Sequence, residues 1–165
     1  MRILLTWLLL TMGAGTLAQA NTPDLQLVGE ARLKVLFWSV YDSRLYSADG
    51  KYLSGQRPLR LEIQYLRDIK SKDLVERTAA EWQAQERVHP DQEQWLQSLA
   101  EIWPDVRTND VIALELREDR RSDFYVNGEF AGTIEDPLFG QHFLDVWLSP
   151  DTTRPLLRQK LLGQP

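Results

Sequence analysis

Few residues in this chain can do chemistry. There is no cysteine, and the only histidines are His89 and His142. Thiol catalysis and disulfides are therefore excluded, and a zinc site would have to rely on carboxylates. The patterns HExxH, GxSxG, GxGxxG and GxxxxGK followed by Ser or Thr are absent, so the common hydrolase and nucleotide-binding frameworks have no foothold. What remains is charge set beside apolar surface. In "EARLKVLFWSVYDSRLY" (Glu30–Tyr46), Arg32 interrupts a stretch apolar enough to be buried. A guanidinium there can hold a carboxylate or phenolate, because it keeps its charge in a poorly hydrated cleft and presents a planar fork. It can equally keep one strand face wet, since Glu30, Arg32 and Lys34 share parity. His142 lies at helical spacing from Leu138, Phe139 and Val146 and so points toward an apolar stripe. It is either a half-buried histidine bonded to a carbonyl or water, or a polar contact inside an apolar pocket, with axial ligation of haem as the sharper alternative.

Compartment and charge limit what such groups can serve. Arg2 and the apolar run "ILLTWLLLTM" precede the small residues "AQA" at Ala18–Ala20, the layout of a signal peptide cleaved after Ala20. Residues 1–20 are thus expected to be a leader, and 21–165 a single periplasmic domain with no integral membrane segment after processing. The 165-residue chain has a net charge of −5. That sign argues against nucleic acid, whose affinity rests on neutralising phosphates with Lys and Arg. It argues equally against general electrostatic docking on anionic lipid.

The elements that must position these residues follow from periodicity. "LQLVGEARLKVLF" places Leu25, Leu27, Ala31, Leu33, Val35 and Phe37 on one side of a strand. The phase then blurs, so either both faces are covered or a bulge shifts the register between Leu36 and Val40. An Asp-Gly turn within Ala48–Tyr52 predicts a hairpin into "LRLEIQYL", which alternates again. Ser71 is placed as the N-cap of a helix with the stripe Leu74, Val75, Thr78, Ala79 and Trp82; Lys72, Asp73, Glu76, Arg77 and Glu81 fall on its polar side. Asp91 caps a second helix carrying Trp95, Leu96, Leu99, Ile102 and Trp103. Strands at Val111–Arg117 and Asp123–Val126 lead through Asn127-Gly128 into Glu129–Ile134. A helix through Phe143 and Trp147 and a last short helix from Arg154 to Leu162 close the chain. Hairpin-linked strands with helices in the middle and at the end predict an α+β fold, a broad antiparallel sheet with helices on one face.

Three stretches together resemble a known family. "LVGEARLKVLFWSVYDSRLYSADGKY", "IWPDVRTNDVIALEL" and "FYVNGEFAGTIEDPLFGQHFLDVWLSPDTTRPLLRQKLLG" are similar, in this order, to the chalcone isomerase-like family, most of all to its exported bacterial branch. The resemblance implies an open-faced sandwich with a ligand cleft between sheet and helices. It implies that Arg32 meets an anionic oxygen, that Tyr41 stands at the family's "VY" tyrosine, and that Ser39 lies near a threonine of the plant enzymes. Trp38 and His142 complete the expected ligand-binding set. The lysine, asparagine and second tyrosine of the plant catalytic set find no counterparts, which favours binding over catalysis. The expectation is an exported protein holding a small amphipathic or aromatic acid, fatty-acid-like, with no metal or cofactor. The alternatives are an envelope subunit with a protein partner and no ligand, and an isomerase closing a phenolic enone.

Overall fold

The computed structural model describes residues 24–165. The expected leader and its cleavage after Ala20 lie outside the described residues. Among those described, six strands form one antiparallel sheet in the order of the chain: β1 (Gln26–Val35), β2 (Trp38–Ser47), β3 (Leu59–Tyr65), β4 (Val111–Leu116), β5 (Ser122–Val126) and β6 (Glu129–Ile134). Helices α1 (Ser71–Ala84) and α2 (Gln92–Ile102) connect β3 to β4, while α3 (Phe139–Leu148) and α4 (Pro155–Leu161) follow β6. The fold is α+β, as the pattern of elements implies.

Alternation decides the two faces of the sheet. In β3, Leu59, Leu61, Ile63 and Tyr65 are buried while Arg60, Glu62 and Gln64 are only partly covered. Leu45, Leu114 and Phe124 join the buried set, and the helices bring Trp82, Trp95, Leu99, Phe139 and Phe143 against it. The opposite face carries paired charges, both along and across the strands. Arg44 bonds Glu30, Arg60 bonds both Glu62 and Glu115, and Arg117 bonds Asp123.

The start of the sheet departs from the expectation. The chain turns at Leu36–Phe37, because Val35 pairs with Trp38 and Lys34 with Ser39. Val40 is then the extra residue, since Leu33 pairs with Tyr41. The blurred phase of the sequence is thus a tight hairpin followed by a bulge. Helix α1 departs in its cap: Lys70 holds the N-cap position, and the Asp105 carboxylate accepts the Ser71 backbone N–H at 2.9 Å. Glu81 is buried rather than on the polar side.

The C-terminal helix docks through two glycines. A Cβ on Gly29 would lie 2.3 Å from the Lys160 carbonyl oxygen, and one on Gly163 would lie 2.5 Å from the Val28 carbonyl oxygen. Only hydrogen lets the end of α4 lie directly on β1.

Candidate functional site

Between the inner sheet face and the helices lies a cavity of about 290 Å³. Its floor is set by register: Leu33 pairs with Tyr41 and Tyr41 with Tyr65, so these three side chains run in one row across β1, β2 and β3. Ile63 and Leu114 extend the floor, and Leu74, Phe143 and Val146 form the roof. The walls are predominantly apolar, as expected of a site that takes an apolar ligand body.

A small polar group interrupts them. The Tyr41 hydroxyl accepts the Trp147 indole N–H at 2.8 Å. Burial pushes its pKa up to about 12; the Trp147 bond, Arg154 and Arg77 pull it down and Glu81 pushes it up. Tyr41 therefore stays protonated and has its own proton to donate. Tyr65, also lining the cavity, is raised by burial and by its neighbour Tyr41. Glu81 is fully engaged, one oxygen paired with Arg77 at 2.7 Å and the other accepting the Thr153 hydroxyl at 2.6 Å. Arg154 lines the cavity beside this pair. Among the described residues its guanidinium has no hydrogen bond or ion pair. Trp103 also lines the cavity, with a buried indole N–H that has no partner among the described residues.

Of the residues singled out from sequence, only Tyr41 lies in this lining. Arg32 points to the other face, where it pairs with Asp42 through two bonds of 2.6 and 2.8 Å. The reason is register: Arg32 is opposite Asp42 while Leu33 is opposite Tyr41, and neighbours on a strand face opposite ways. Trp38 is exposed beyond the turn, under the Arg67 guanidinium at 5.0 Å. Ser39, opposite Lys34, is outside the lining as well. His142 is wedged behind it, its ring centroid 5.0 Å from Trp82 and 5.1 Å from Trp95. Its Nε2 lies 2.7 Å from the Gln92 side-chain nitrogen. Burial, then Arg87 and His89, push its pKa down to about 4, so it is neutral and accepts from Gln92. Arg154, Glu81 and Trp103 went unmarked as site residues in the sequence. Glu81 and Trp103 left a signal there, Glu81 at stripe spacing from Leu74 and Thr78 and Trp103 in the apolar stripe of the second helix; Arg154 left none.

The chalcone isomerase-like family model matches residues 14–163. The chain belongs to the chalcone isomerase-like family. That match begins inside the segment read as a leader. An uncharacterized protein of Haemophilus influenzae is 29% identical over 139 residues, spanning 84% of this chain and 68% of that protein. Among solved structures, a fatty-acid binding protein of Arabidopsis thaliana superposes with a TM-score of 0.64 at 14% identity, covering 84% of this chain and 86% of that one. At that identity the likeness speaks for the fold: the six-stranded open sheet and its helices are this family's architecture.

Proposed function

We propose that this member of the family is a non-catalytic binding protein for a small amphipathic acid. The observation that carries the reading is an apolar cavity whose polar group combines the guanidinium of Arg154, without a hydrogen bond or ion pair among the described residues, with the donor hydroxyl of Tyr41. The acid's tail would lie against Ile63, Leu114 and Phe143, and its carboxylate would meet Arg154 and Tyr41 in place of the Arg32 expected from the family. The hollow of about 290 Å³ is close to twice the ~150 Å³ that accommodates benzene, which sets the scale at a medium-chain fatty acid or a one-ring aromatic acid. The name of the Arabidopsis relative accords with this class of ligand. Tyr41 and Tyr65 are held in their protonated forms, suited to donating hydrogen bonds rather than abstracting protons. We place the protein outside the inner membrane, processed after Ala20.

Mass spectrometry of gently purified protein is expected to show a chain beginning at Asn21 with a co-purified acid. Titration should favour decanoate over decanol by about tenfold or more, since a charge-assisted hydrogen bond contributes roughly 1.5–3 kcal/mol. Arg154→Gln should abolish that preference. An equal preference in both proteins would remove Arg154 as the anchor, and no binding of either compound would remove the reading itself.

A further inference from the structure

The β1–β2 turn runs against ordinary hairpin chemistry. Two-residue turns favour Asn-Gly because both can adopt positive φ at little cost, and the β5–β6 turn does so with Asn127 at 51° and Gly128 at 83°. The β1–β2 turn instead holds Leu36 at a φ of 55°. Nor does the core claim these side chains: Leu36 is 86% exposed, Phe37 97% and Trp38 61%. Three consecutive large apolar residues stand at the hairpin tip, one of them in a strained conformation, and none of the three is buried in the core.

The surroundings of the tip indicate what covers it. A two-residue hairpin end is a narrow wedge, whereas a stable protein partner calls for a broad complementary patch of roughly 800 Å² on each side. Tryptophan favours the boundary between headgroups and acyl chains. Lys34 stands two residues before the turn and Arg67 lies over Trp38; among the described residues neither has an ion-pair partner. Apolar residues at the point with unpaired cations one step behind are the layout of a peripheral lipid anchor. This local charge acts against the acidic balance of the whole chain, because anionic headgroups attract nearby cations within a Debye length.

We propose that the β1–β2 hairpin docks the protein on an anionic lipid surface, with Leu36, Phe37 and Trp38 entering the headgroup boundary and Lys34 and Arg67 meeting phosphates. Val35, 41% exposed at the base of the tip, also lines the cavity, so the apolar surface is continuous from the tip into the cavity wall. Docking thereby sets the cavity beside the acyl layer. The docking stands on the hairpin alone and does not require the cavity to be filled.

The absence of cysteine allows one label to be placed at will. Ser39→Cys carries an environment-sensitive fluorophore next to the tip, and Glu118→Cys carries it in the β4–β5 turn at the other end of the sheet. With vesicles of phosphatidylcholine and phosphatidylglycerol, the Ser39 label should shift to the blue and the Glu118 label should not. On a Leu36→Asn/Phe37→Gly background, thermal stability should hold or rise while vesicle partitioning falls at least tenfold, the loss expected from two apolar side chains. Lys34→Gln and Arg67→Gln should each weaken binding about fivefold, the effect of one cation near an anionic surface. No shift at Ser39, or an equal shift on the substituted background, would overturn the proposal. A tip that ignores vesicles and instead drives Phe37-dependent self-association would overturn it too.

Discussion

A buried tyrosine that accepts a hydrogen bond keeps its own proton to give, and Tyr41 is in that position. Its oxygen takes the Trp147 indole N–H, while Arg154 and Arg77 lie close enough to bear on its pKa. Tyr41→Phe would remove the donor offered to a ligand and leave the indole N–H without its acceptor. Orphaning a buried donor costs about 1–3 kcal/mol, so a lower melting temperature should accompany weaker acid binding in titration calorimetry. Arg32→Ala is the matching control: ligand retention should be unchanged, because the Asp42 pair lies on the outer face. The shared parity of Glu30, Arg32 and Lys34 already marked that face as solvated. Arg154 could not be read in this way, because it stands at the N-cap of α4, one residue before the helix it is expected to begin, where no helical period has yet set a face. Glu81 was misplaced for a different reason: its charge was weighed above its spacing.

At the scale of elements, α3 is held between the sheet and α1 and α2, and His142 is the wedge that makes the junction titratable. Histidine titrates near 6.5 when free but is pushed down to about 4 here. As pH falls, the unfolded chain takes up the proton first, so stability is full above about 6.5 and drains away toward 4. Asp145, raised by burial, acts in the opposite sense near the acid end. The comparison to make is therefore melting temperature against pH for wild type and His142→Gln, and the variant should show the shallower slope. The contact of α4 with β1 gives a second test. Gly29→Ala would press a methyl group into the backbone of α4, and overpacking of this kind costs about 1–3 kcal/mol in chemical denaturation. Most elements were legible because their patterns were clean: β3 alternates strictly, α2 and α3 carry aromatic stripes, and Asn127-Gly128 announces its turn. The β1–β2 turn was missed because Leu36–Phe37 carries none of the residues that mark one, so the chain read as a single strand with a fault in it.

Taken as a whole, the molecule divides its labour between two sides of one sheet. The outer side is a lattice of compensating charges, built from Arg44 with Glu30, Arg60 with Glu62 and Glu115, and Arg117 with Asp123. The inner side is apolar but incompletely filled. Unfolding under hydrostatic pressure is driven by the disappearance of volume that water does not fill, and a cleft of about 290 Å³ with apolar walls hydrates poorly even where it opens to solvent, so the empty protein should yield at lower pressure than the same protein with its cleft filled. A guest occupying that space removes the volume on which compression acts. High-pressure fluorescence of the delipidated protein, repeated after adding decanoate, should show the midpoint climbing as the interior fills, with Arg154→Gln climbing less at the same acid concentration.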